Sequence, residues 1–159
     1  MISRFLDWIF QKLVFISGFF LVAMVVLTCL DVVGRFFDHP FFGTYELVSL
    51  MAALVVVGTL PESHLKKGHF GVEIVANKFS PRIQNILELV TDSLSLALFC
   101  VVAWRMMLYG AKIQASGEVS MSLNLPEYIV IYMVGFGFVF FCLAILKNIV
   151  RILGKIQQG

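Results

Sequence analysis

A chain of 159 residues with 60% hydrophobic and 14% charged side chains and a mean hydropathy of +0.94 is not a soluble globular domain, since those average about 45–50% apolar and about 25% charged residues. The net charge of +2 is spread without any basic run that could track a nucleic-acid backbone, so no nucleic-acid partner is expected. The length suits a single membrane domain over residues 1–159.

Residues 2–12 are two-sided at helical spacing. Ile2, Phe5, Leu6 and Ile9 fall on one face, with Ser3, Arg4, Asp7 and Gln11 on the other. With Trp8 and Lys12 at the water line, this segment reads as an amphipathic helix lying on the membrane. A secretory signal does not fit, because the apolar run that follows is too long and no small-residue cleavage site closes it. Leu13 to Leu30 then carries no charge. A span needs about 20 residues, which sets a first crossing at about 13–34. Asp31 and Arg35 close it, four apart on one face and able to pair. The phenylalanine-rich turn after Arg35 is expected to dip into the membrane interface.

Thr44 is positioned to cap the next helix, with Glu46 in its first turn. Leu47 to Leu60 is uncharged, and with its flanks gives a second crossing at about 44–63. Ser49 and Ala53 form a small-residue face suited to close helix contact. The first long polar break follows, from Leu60 to Glu73, holding Lys66, Lys67, His64, His69 and two glycines. Residues 72–79 again alternate between apolar and polar faces, predicting a second, short interfacial helix between crossings two and three. Ser80 and Pro81 supply a cap and a first-turn proline for a third crossing at about 81–108. It carries Glu88 and Asp92 in its first third, Ser93 and Ala97 as another small-residue face, and Arg105 near its far end. Tyr109 to Leu123 reads as a polar loop. Asn124 with Glu127 resembles a capping box opening a fourth crossing at about 125–147, after which Lys147, Arg151 and Lys155 follow. The fold class is therefore an all-α membrane protein of four transmembrane helices plus two interfacial ones.

With four crossings, both termini and the central break share one side. That side holds Arg4, Lys12, Lys66, Lys67, Lys78, Arg82, Lys147, Arg151 and Lys155, nine of the twelve basic residues. Arg35, Arg105 and Lys112 lie opposite. By the positive-inside rule, the nine-residue side is cytoplasmic. Trp8, Lys12, Lys66, Lys67, Lys147 and Arg151 are then the membrane-interface residues, facing phospholipid headgroups.

Chemistry is sparse. Cys29, Cys100 and Cys142 form no metal-ligand spacing and read as small apolar residues. His39, His64 and His69 fall in or beside loops, a poor arrangement for haem or a metal. Neither a phosphate loop nor a nucleophile elbow is present, so no catalytic residue, cofactor or metal is expected. Asp92, with Glu88, is an acid near a helix end, paired with Arg82 or with a partner subunit. A stand-alone, four-helix, proton-coupled transporter is the alternative, but its acid in the middle of the first crossing is missing here.

Several residues occur in an order that resembles the small membrane subunit (DctQ type) of the tripartite ATP-independent periplasmic (TRAP) transporters. Arg35 closes the first crossing, Glu46-Leu47 opens the second and Gly58 lies late in it. Lys66-Lys67-Gly68-His69 and Val72-Glu73 follow, then Ser120, Leu123 and Pro126 before the last crossing. The resemblance implies a non-catalytic subunit of the bacterial inner membrane. It would serve as scaffold to a large multi-helix subunit that moves carboxylates, such as C4-dicarboxylates or sialic acid, with sodium. A periplasmic binding protein would deliver the substrate. Arg35, Glu46, Gly68, His69 and Glu73, which carry the resemblance, together with Asp31, Ser49, Ala53 and Asp92, singled out by ion pairing, a small-residue face and an acid near a helix end, are candidates for the large-subunit or structural interface. Asp38, His39, Lys112 and Glu118, by their outer side alone, are candidates for docking the binding protein.

Overall fold

The computed structural model describes residues 2–39, 41–66 and 81–157. Lys67, Gly68, His69, Glu73 and the interfacial helix expected at 72–79 lie outside the described residues, as does Ser80. Within them the chain forms α1 (Ile2–Phe36), α2 (Thr44–Leu65), α3 (Pro81–Ser116) and α4 (Glu127–Gln157), with no strand among the described residues. All four are long and apolar enough to cross a membrane.

The N-terminal amphipathic segment is not a separate element. It is the first third of α1, which runs unbroken for 35 residues, about 52 Å at the helical rise. Nothing between Gln11 and Phe15 breaks a helix, so the turn expected near residue 12 has no residue to make it. A bilayer core of about 30 Å therefore leaves part of α1 to emerge.

Helix α3 likewise overshoots its expected end. Tyr109 to Ser116 is helical, not loop, because Gly110 and Ile113 continue the buried stripe begun by Ala103. The Tyr132 hydroxyl also donates to Gln114 Oε1 at 3.1 Å. Gly117, at φ 68°, ends the helix, its N–H donating to Ile113 O.

Two expected caps also take other forms. Gly43, in the left-handed region, occupies the α2 cap position, while Thr44 is buried and its hydroxyl donates to Phe41 O at 3.0 Å. Asn124 has φ 51° and makes no capping box. Ser120 organises that loop, its N–H donating to Leu125 O and its hydroxyl accepting from Leu125 N–H. Pro61 does not end α2, which passes through it to Leu65.

The principal packing runs α1 on α2, α2 on α4 and α4 on α3, so the helices form a row with α2 and α4 central. Close approach occurs where side chains vanish. A Cβ on Gly58 would fall on the Ser17 hydroxyl, and one on Gly137 on a Val57 methyl. The small-residue faces read from the sequence lie elsewhere, Ser49, Ser93 and Ala97 being exposed and Ala53 half-buried within this chain. Helix α4 contributes most of the core, through Val134, Phe141, Ala144, Ile145 and Ile152. Most apolar side chains of the spans remain uncovered within the chain, as expected where lipid or another subunit is the neighbour.

Candidate functional site

Polar side chains gather at the two ends of the row. The hairpin end carries the α1–α2 and α3–α4 connections. There the Arg35 Nε donates to Asp31 Oδ2 at 2.8 Å, pairing residues one turn apart on α1. The other carboxylate oxygen accepts the N–H of Phe41 at 3.1 Å, drawing the descending chain back against α1. Asp31 is only 4% exposed, and each of its two oxygens accepts a hydrogen bond where water has little access. The Arg35 guanidinium lies over the Tyr45 ring, 5.1 Å from its centre.

Glu46 reaches across 77 positions of sequence, its Oε2 accepting the N–H of Leu123 at 3.1 Å. The Leu123 side chain covers Gly43. Glu46 thereby ties the two hairpin loops together. Asp31, Arg35 and Glu46 are thus joined within this chain through the turn, while Ser49 lies outward and donates to Tyr45 O. Asp38 and His39 are exposed in the α1–α2 turn; Lys112 and Glu118 are exposed at the end of α3 and just beyond it.

The terminal end carries the start of α1 and the end of α4. Its centre is Asn148, 5% exposed. The Asn148 Nδ2 donates to Asp92 Oδ2 at 2.8 Å and to Glu88 Oε1 at 3.2 Å. His64 Nε2, from α2, approaches Asp92 Oδ1 at 3.4 Å, and its ring packs edge-on against Phe141. Among the described side chains, an amide and an imidazole lie beside Asp92; the Arg82 side chain, an expected partner, lies outside them. Asn148 reaches them by register: it faces the bundle on the same stripe as Phe141, Ile145 and Ile152, whereas the neighbouring Lys147 turns toward α1.

Lys147 pairs with Asp7, and Lys66 with Glu62 at 2.9 Å. Lys12 lies 5.8 Å from the Trp8 ring centre. Asp7, Glu62, Lys66, Lys147, Asn148 and Arg151 help to line an open cleft of about 560 Å³. The structure thus brings Lys66, Lys147 and Arg151 to one cleft and leaves Trp8 and Lys12 on the adjoining stretch of α1.

Sequence reasoning missed Asn148, His64 and the closeness of Cys100 and Cys142, whose sulfurs lie 3.7 Å apart between α3 and α4. For Asn148 a signal existed: a polar residue at a core spacing in a helix otherwise buried on that face. For the cysteines, 42 residues apart, no sequence signal exists. Among the described residues, no three histidine, cysteine or acidic side chains converge as a metal site would require.

The fold therefore presents two hydrogen-bonded ends, wide uncovered apolar flanks and no assembled reaction centre among the described residues. Comparison with curated proteins gives no match. The sequence profile described as "Tripartite ATP-independent periplasmic transporters, DctQ component" matches residues 24–155, from mid-α1 to the last turns of α4. The chain belongs to that family: it is a multi-pass membrane protein, the small membrane subunit of a TRAP transporter and not an enzyme, a component that associates with a large membrane subunit and a binding protein.

Proposed function

We propose that this subunit is a scaffold, widening the static part of a sodium-coupled carrier that imports organic acids, carboxylates such as C4-dicarboxylates or sialic acid, across the bacterial inner membrane. The observation that carries this reading is the row of helices fastened at both ends and left uncovered along its apolar flanks. Such a body supplies area for a neighbour to slide against and resists tilting. Transport of a charged substrate calls for polar groups free to meet it in the membrane, whereas Asp31, Glu46, Glu88 and Asp92 are bonded to partners within this chain.

Orientation follows from charge. The lopsided lysine and arginine placement puts both termini in the cytoplasm, with Asp38, His39, Lys112 and Glu118 facing the binding protein. Trp8, Lys12, Lys66, Lys67, Lys147 and Arg151 then meet phospholipid on the cytoplasmic side. Asp31, Arg35, Glu46, Ser49, Ala53, Gly68, His69, Glu73 and Asp92 serve contact with the large subunit or the internal order that such contact needs, within the one domain of residues 1–159.

Reconstitution tests the reading. Proteoliposomes holding the large subunit, this chain and the binding protein are expected to accumulate labelled organic acid under a sodium gradient. This chain alone is expected to give no flux. Accumulation by this chain alone, or full uptake by the large subunit without it, would overturn the scaffold role.

A further inference from the structure

We propose that Arg105, on the open face of α3, pairs with a carboxylate inside the membrane part of the large subunit and so marks the face on which that subunit packs. This pairing deepens the scaffold reading and rests on its contact with a large membrane subunit. Helix α3 stands at the end of the row, with α4 as its principal neighbour. Arg105 is exposed on the side turned away from the core residue Ala103. Among the described residues, none bonds to its guanidinium.

The packing of α3 on α4 sets the depth of this charge. The Met106 Cβ lies 3.6 Å from where a Cβ on Gly135 would stand, and the Phe99 ring stacks on that of Phe138 at 5.7 Å. Arg105 is therefore level with Gly135 or Phe136, within the charge-free run Tyr128–Leu146. Along the axis, Gly135 is about 10 Å from Tyr128 and about 16 Å from Leu146. Arg105, expected near the far end of the third crossing, lies inside it because α3 continues to Ser116.

Depth decides between lipid and protein as the partner. A charge at this level is costly unless it is paired, and phosphate headgroups lie beyond the ends of the run. The Cα–Cβ bond of a helical residue tilts toward the helix N-terminus, which for α3 is the end carrying the chain termini. Arg105 thus leaves its helix toward the farther boundary, deeper into the apolar layer. Lys112, nearly two turns on along the same stripe, stands at the nearer boundary and is the cation that a headgroup there would meet.

The surroundings suit a packed helix. Val101, Arg105, Leu108, Tyr109 and Lys112 help to border an open hollow of about 500 Å³, and every residue bordering it belongs to α3. A second wall must therefore come from another molecule. An aspartate or glutamate entering from that wall can accept two parallel N–H bonds from the guanidinium, a geometry that arginine favours.

Two measurements on the full complex test this. With a tag on this chain, Arg105→Leu should lower the large subunit retained in mild detergent at least tenfold, and Arg105→Lys, which keeps the charge, should restore most of it. The Leu variant of this chain by itself should keep or raise its unfolding midpoint, because a costly charge is gone. A benzophenone amino acid replacing Leu108 should form a photo-adduct with the large subunit in native membranes. Full retention of the large subunit by Arg105→Leu, or an adduct with lipid alone, would overturn the proposal and leave the scaffold reading standing. A midpoint lowered alongside lost retention would make Arg105 a residue of this chain's own fold, and intact assembly with a raised KM would assign it to the transported acid; either overturns the pairing. Failure of the unaltered chain to retain the large subunit would remove the pairing and the scaffold together.

Discussion

The two ends of the molecule are held by different kinds of bond. At the hairpin end, carboxylates receive backbone N–H groups: Asp31 holds Phe41 and Glu46 holds Leu123. These bonds shape loops. At the terminal end, side chains meet side chains across helices, with Asn148 from α4 bonded to Asp92 and Glu88 from α3, and His64 of α2 beside them. Those bonds hold helices in register. Disrupting the first should loosen connections, and disrupting the second should weaken the whole body.

The largest effect is expected from Asn148→Leu, which keeps the volume and removes the amide. It strips a donor from two carboxylates inside the helix row, and loss of a partner to a buried charged group costs about 3 kcal/mol. The midpoint of thermal unfolding in detergent should fall sharply, with amide exchange rising along α3 and α4 together. An unchanged midpoint would mean that Asn148 does not link these helices.

Asp31→Ala comes second, through loss of its bonds to Arg35 and to the Phe41 N–H. Its signature should be local: faster amide exchange over residues 37–43 with α3 and α4 unaffected. If exchange rose equally in all four helices, the distinction between a loop-holding end and a helix-holding end would fail. Glu46→Ala should be milder still, about 1 kcal/mol for a single bond, and it should quicken exchange at Leu123 as well as in the first turn of α2. Glu46→Gln, which retains a carbonyl acceptor, should restore most of the protection.

The same contrast explains what could be read in advance. Four crossings were legible because a span must be free of charge over about 20 residues, and Leu13–Leu30 and Tyr128–Leu146 satisfy that directly. The Asp31–Arg35 pair was legible because both residues lie on one helix, one turn apart. Asn148 with Asp92 was not, since 56 residues and a choice of helix neighbours separate them. The helix ends misled for another reason. Loss of hydropathy marks where a membrane ends, but α3 continues past Tyr109 because Gly110 and Ile113 still pack and Gln114 still reaches Tyr132. The close contacts at Ser17 with Gly58 and Val57 with Gly137 were hidden by the number of small residues available. Ser49 with Ala53 had equal claim by spacing, and only the register of the packed row decides between them.

The smallest effect is expected at the most conspicuous charge. Lys66 pairs with Glu62 at 2.9 Å, yet its side chain is 74% exposed, and an exposed pair one turn apart contributes about 0.3–0.5 kcal/mol. Lys66→Ala should therefore leave the unfolding midpoint nearly unchanged. It should also leave orientation unchanged. Removing both Lys66 and Lys67 still leaves seven basic residues on the terminal side against three opposite, a bias that continues to direct insertion. Reporter fusions on the double variant would check this, and an inverted protein would mean that the central break alone sets topology. A neutral amide is thus expected to outweigh a lysine several-fold in stability. Burial decides the size of each contribution, because a bond shielded from water has no competing partner when it breaks, whereas the lysine simply returns to solvent.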